Sequence, residues 1–141
     1  MSDLLFQHTP NARMLVDFGL VILIWLVQLI IYPSFRYTSA DAFQAWHGQY
    51  TFLISIIVVP LMLSQVGLIG FKLLHSPNWA MYVTAGLIAL IWLSTFLQVV
   101  PVHNALTAGE DIATHVEQLI KLNWPRTLMW TMVFALNFVK T

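Results

Sequence analysis

Residues 18–35, FGLVILIWLVQLIIYPSF, contain no charged side chain, and Asp17 and Arg36 stand at the two ends of the run. A membrane-spanning helix needs roughly 20 predominantly apolar residues. With the apolar residues just before Asp17, the run reaches that length, so we predict a first span at about 14–35. Asp17 and Gln28 fall on one face of such a helix. A carboxylate is costly against lipid, so this face is expected to point into a bundle.

The composition favours lipid as the natural surroundings of the chain. Of 141 residues, 59% are hydrophobic and only 9% are charged, whereas a soluble domain carries about 25% charged residues. The net charge is zero and there is no cysteine, so nucleic acid is not indicated as a partner and disulfide or thiol chemistry is excluded. The first residues have no basic signal-peptide region, and the first apolar run is therefore expected to be a retained helix.

Three further apolar segments predict three more spans, at about 50–71, 79–101 and 124–140. Pro101 is expected to end the third span. Residues 109–122 have one apolar and one charged side and predict a short amphipathic surface helix. Asn123 as N-cap and Pro125 in the first turn would then open the fourth span. The sequence thus predicts an all-α, integral membrane, antiparallel four-helix bundle forming one domain over residues 1–141.

The distribution of basic residues predicts on which side of the membrane the termini lie. Arg13, Lys72 and Lys140 fall on the side of the termini, and Arg36, Lys121 and Arg126 on the other. This balance becomes a slight excess on the terminal side if Arg126 is buried, because buried charges do not count as loop charges. The termini are therefore expected to be cytoplasmic.

Polar residues gather where the third span gives way to the fourth, in QVVPVHNAL (98–106) and NWPRT (123–127). A guanidinium beside free helix N–H groups suits an anion or a polarised carbonyl, and a nearby imidazole could act as a base. The catalytic candidates are His103, Arg126 and His47, and the candidates for ligand binding are Asn104, Asn123, Gln98 and Trp130. A structural alternative stays open, in which Arg126 clamps backbone carbonyls and Asn123 only caps a helix.

The sequence also allows two other kinds of site, a metal site and a transport path. His47, His103 and His115 should lie at one membrane face, with Asp111 four residues before His115, and could converge on Zn²⁺ or Cu²⁺. The chain has no compact pair of histidines, so separate interfacial histidines are the simpler interpretation and no metal is expected. Polar residues that should face inward could instead line a transport path: Asp17, Gln28, Gln65, Ser94 and Gln98.

The pattern PVHNAL (101–106) followed by NWPRT (123–127) resembles small bacterial four-helix membrane proteins of the anthrone-oxygenase-like group. Trp25 to Pro33 and His47 are also similar to one branch of that group, although Ile31 stands where the branch often has His. The resemblance implies a bacterial inner-membrane protein with an oxidoreductase-like pocket, and reactions that need no metal or flavin. No cofactor is therefore expected.

Three functions follow as hypotheses. The first is an oxidoreductase-like membrane protein that binds an apolar aromatic or quinone-like ligand at one membrane face. The second is a non-catalytic membrane subunit or scaffold, whose partner would be a second copy or another membrane protein. The third is a small transporter. In all three, membrane lipid surrounds the chain.

Overall fold

Four helices joined by short turns make up the part of the chain that the structure describes. The computed structural model describes the backbone of residues 2–139 and the side chains of 9–39 and 41–139. Helix α1 covers residues 2–37 and helix α2 covers Ala40–His75. Helix α3 covers Trp79–Ala108, and helix α4 covers Ile112–Ala135 with a 3-10 turn, Leu136–Phe138, after it. All secondary structure in the described range is helical, as predicted.

Two of the helices contain a π-helical turn. In α1 the α-helix Ser2–Leu26 passes into a π-turn at Val27–Ile31. In α3 the α-helix Trp79–Ser94 passes into a π-turn at Thr95–Val99 and continues as Val100–Ala108. Such single π-turns are often found at functional sites.

Three helices of the described chain are long and apolar enough to cross a membrane: Thr9–Tyr37, Asp41–His75 and Trp79–Ala108. These correspond to the first three predicted spans. Helix α4 is not among them, because Glu117 and Lys121 lie in its first half and Arg126 interrupts the apolar part. The predicted end of the fourth span at residue 140 lies outside the described residues.

The prediction of a separate surface helix before the fourth span is wrong. Residues 109–122 and 124–140 were expected as two elements, but Ile112–Ala135 is one helix. Its N-cap is Asp111, whose side chain accepts a hydrogen bond from the backbone N–H of Thr114 at 3.4 Å. Pro125 removes only one backbone hydrogen bond, and the helix runs through it.

The structure also differs from two other predicted helix boundaries, the end of the third span and the start of the second. Pro101 does not end α3, because it lies in the first turn after the π-turn, where the regular i→i−4 bonding is already interrupted. The helix ends instead at Gly109, which adopts the left-handed conformation with φ 78°. Helix α2 begins at Ala40, before the predicted start of the second span at residue 50, so His47 lies on this helix.

The core consists of two clusters of buried residues. One includes Leu20, Ile24, Met62, Ile88, Trp130 and Val133. The other includes Val27, Tyr32, Phe35, Phe43, Val99 and Leu106. Each cluster draws residues from several helices, and the site described below lies between them.

Candidate functional site

A cavity of about 400 Å³ lies between the two core clusters and is lined by all four helices. Most of its wall is apolar, with Val27, Val58, Met62 and Val99 among the lining residues. A volume of this size is within the range of small-molecule sites. Four of the predicted site residues line it: His103, Asn104, Arg126 and Trp130.

Arg126 is the charged group of the cavity wall. It is only 5% exposed, and its guanidinium lies over the Trp130 ring at 5.4 Å from the centroid. One terminal nitrogen donates to the Asn123 side-chain oxygen at 3.0 Å, while Nε is buried and has no partner among the described atoms. The two ion pairs recorded in the described chain do not include Arg126. Its positive charge is therefore not balanced by a carboxylate in this part of the chain.

Asn123 lies behind Arg126 and not in the cavity wall. Its amide nitrogen donates to the Gln28 side-chain oxygen at 3.0 Å, and the Gln28 amide donates to the backbone carbonyl of Ile120 at 3.4 Å. Both amides are thereby fixed, with the Asn123 oxygen turned toward Arg126. Asn123 is predicted as a ligand-binding residue, but its position makes it a group that orients the guanidinium.

A hydrogen-bonded chain connects Tyr32, His103, His47 and Thr107. Tyr32 Oη lies 3.1 Å from His103 Nε2, and His103 Nδ1 lies 3.0 Å from His47 Nε2. His47 Nδ1 lies 3.0 Å from Thr107 Oγ1. Tyr32 and His103 line the cavity, whereas His47 is fully buried behind them with its ring stacked on Phe43. The two predicted histidines are thus in direct contact, but only one reaches the cavity.

Gln98 does not belong to this site, and the prediction that it faces inward is wrong. A regular α-helix would place Gln98 on the same face as the buried Thr84 and Ile91. The π-turn holds one extra residue, so Val99 takes the buried position and Gln98 is exposed. Its side-chain oxygen accepts a hydrogen bond from Ser94 at 2.8 Å.

Two site residues were missed as candidates. Trp92 lines the cavity, and its indole Nε1 is buried without a partner among the described atoms. Tyr32 supplies the hydroxyl that meets His103. The sequence signal for Tyr32 is its place in the stretch from Trp25 to Pro33 that carries part of the resemblance. Trp92 cannot be distinguished from an ordinary packing residue by its spacing.

The histidines do not gather into a metal site. His115 lies apart from the histidine pair, and its Nδ1 is 2.8 Å from the carbonyl oxygen of Glu110. Among the described residues there is no group of three histidine, cysteine, aspartate or glutamate side chains that could hold a metal ion.

A second polar cluster, away from the cavity, joins all four helices. Asp17 pairs with Arg13 at 3.3 Å and accepts hydrogen bonds from Gln65 at 2.6 Å and Asn137 at 2.8 Å. Arg13 also donates to Thr84 at 3.4 Å. Asp17 and Gln65, two of the residues proposed for a transport path, therefore bond to each other and tie the helices together.

Comparison with protein-family models, with curated proteins and with solved structures finds no match to this chain.

Proposed function

We propose that this chain is an integral membrane protein, an antiparallel four-helix bundle, whose cavity binds an apolar aromatic or quinone-like molecule through its oxygen atoms. The function is oxidoreductase-like, in line with the resemblance to the anthrone-oxygenase-like group. The observation that carries the proposal is Arg126, a buried cation in an apolar cavity, with Nε unpaired among the described atoms.

Burial of an unbalanced charge is costly, and an acceptor oxygen on a ligand lowers that cost. Trp92 supports the same kind of ligand, because this residue also lines the cavity and its Nε1 is a second buried donor without a partner among the described atoms. A guanidinium and an indole N–H both donate and cannot accept. They therefore favour a carbonyl, an enolate or a phenolate, in which negative charge rests on oxygen.

The position of the cavity favours a lipid-soluble molecule. Val59, Phe96 and Val100 line it and are also exposed on the outer surface of the helices. A ligand could therefore enter sideways from the acyl chains. The apolar wall would hold its rings, while the donors at Arg126 and Trp92 fix its oxygen atoms.

The test is to measure the binding of 2-methyl-1,4-naphthoquinone to the protein purified in detergent. Binding is detected as quenching of the tryptophan fluorescence. The Arg126→Gln variant should bind about tenfold or more weakly, since a hydrogen bond to a charged group contributes about 1.5–3 kcal/mol. Trp92→Phe should weaken binding by a smaller factor.

The matched controls lie on the surface. Arg36→Gln changes a half-exposed arginine that does not line the cavity, and Trp79→Phe removes an exposed indole. Neither should alter the affinity. If the unchanged protein shows no saturable binding while Arg126→Gln only lowers thermal stability, the second hypothesis replaces this one: a non-catalytic membrane subunit in which Arg126 clamps the helices.

A further inference from the structure

The hydrogen-bonded chain behind the cavity has a defined direction, which follows from Thr107. The Thr107 hydroxyl donates to the backbone carbonyl of His103 at 2.9 Å. A hydroxyl has one hydrogen, so Thr107 must accept at its contact with His47 Nδ1. The hydrogen of that contact therefore belongs to His47 Nδ1.

The direction of the remaining contacts follows from the same count. A neutral imidazole carries one N–H, and the other ring nitrogen accepts. His47 Nε2 therefore accepts from His103 Nδ1–H, and His103 Nε2 accepts from the Tyr32 hydroxyl. Every donor along the chain points from the cavity toward Thr107, which is exposed at the end of α3.

We propose that Tyr32, His103, His47 and Thr107 form a proton relay from the cavity to the protein surface. The proposal rests on the proposed function, since the proton comes from a phenolic or similar O–H group of the ligand. The ligand proton passes to Tyr32 Oη as the Tyr32 proton passes to His103 Nε2. The Nδ1 proton of His103 moves to His47 Nε2, and that of His47 moves to Thr107 Oγ1. The original Thr107 hydrogen then leaves the His103 carbonyl and passes to water, to which Thr107 is exposed.

The balance of the transfer is simple. The ligand loses one proton and becomes an anion, and the surrounding water gains one proton. Arg126 lies beside the Tyr32 hydroxyl, so its positive charge stabilises the anion that remains. The side chains end with their hydrogens reversed and must rotate, or pass a proton back, before the next transfer.

The direction of the chain can be tested without any ligand. Nitrogen-15 labelling of histidine and NMR correlation of ring nitrogens with ring hydrogens distinguish the two neutral tautomers. We expect both His47 and His103 to carry the hydrogen on Nδ1. A hydrogen on Nε2 of either ring would overturn the relay.

The transfer itself can be followed with 1-naphthol, an aromatic phenol that is neutral at pH 7 and whose ionised form absorbs at longer wavelength. Stopped-flow mixing with a pH indicator measures proton release, and tryptophan quenching measures affinity separately. Thr107→Val keeps the shape of the side chain but removes the hydroxyl. Release should slow about 100-fold while affinity is retained, and Thr107→Ser should restore the rate.

His47→Phe is a second variant that interrupts the hydrogen-bonded chain. It keeps an aromatic ring at this position but loses the hydrogen bonds to His103 and Thr107. It should slow release like Thr107→Val. Release at the unchanged rate in both variants would overturn the relay. Failure of the naphthol to bind the unchanged protein would instead count against the proposed function, and the tautomers would still decide the direction of the chain.

Discussion

The buried ion pair of Arg13 and Asp17 gives the sharpest test of how the helices are held together. In Asp17→Asn the side chain keeps its shape but loses its charge. The side-chain exposure of the pair is 5% and 0%, so the Arg13 cation would stay buried without its counter-ion. Removing one partner of a buried pair costs about 3–5 kcal/mol of folding free energy.

The hydrogen bonds of Asp17 indicate why asparagine cannot substitute. One carboxylate oxygen accepts from Gln65, and the other accepts from Asn137 and faces Arg13. The new amide nitrogen would meet a donor in either orientation. If Gln65 turned its own amide to adapt, its nitrogen would then face the Trp130 indole N–H, which now donates to the Gln65 oxygen at 3.5 Å.

The assay is unfolding by sodium dodecyl sulfate in mixed micelles, followed by circular dichroism. The matched control is Glu117→Gln, the same chemical change in an ion pair whose side chains are 45% and 47% exposed. It should lower the free energy of unfolding by much less than Asp17→Asn, because exposed pairs contribute little. The double variant Arg13→Met, Asp17→Leu removes both charges and should be more stable than Asp17→Asn. Equal losses in Asp17→Asn and Glu117→Gln would refute the argument from burial.

Two further predictions concern the turn between α3 and α4 and the pH dependence of the surface ion pair. Gly109→Ala should cost about 1–2 kcal/mol of unfolding free energy, since φ is 78° and the new Cβ would collide with the Gln44 side chain. Gly67→Ala is its control, because a Cβ there meets nothing within 4 Å, and it should be neutral or stabilising; equal effects would contradict the reasoning. Hydrogen bonds from Arg36 hold the pKa of Glu117 below the ordinary value of 4.5, so the pair stabilises the protein above that pH. The difference in Tm between the unchanged protein and Glu117→Gln should therefore disappear as the pH falls through the lowered pKa, and a difference that persists in acid would contradict this.

The general character of the fold could be predicted because it depends on composition. Long runs without charge are enough to identify helices that can cross a membrane. The inward face of α1 also followed from spacing, since Asp17 and Gln28 are both buried. The stacking of Arg126 on Trp130 could be predicted in the same way, from residues four apart on one helix.

The details of the site depended on features that sequence does not carry. A π-turn adds one residue to a helical turn, and its residues have no distinctive composition. Regular helical spacing therefore predicts an inward position for Gln98, although Gln98 is exposed in the structure. Asn123 has the chemistry of an N-cap, but its side chain bonds Gln28 and Arg126, and only the packing of α1 against α4 reveals this. Trp92 differs from an ordinary packing residue in its indole N–H, which is buried without a partner among the described atoms.

The two polar clusters differ in a way that bears on function. At Arg13 the buried charge is matched by the Asp17 carboxylate of the same helix, which also accepts hydrogen bonds from the amides of Gln65 and Asn137, and this suits a structural role. At Arg126 the described chain supplies an amide oxygen and a tyrosine hydroxyl, which bring no full negative charge in their ordinary state. A protein that needed only a clamp at this position could use a neutral side chain at lower cost. The contrast therefore favours a negative or strongly polarised oxygen from outside the chain as the partner of Arg126.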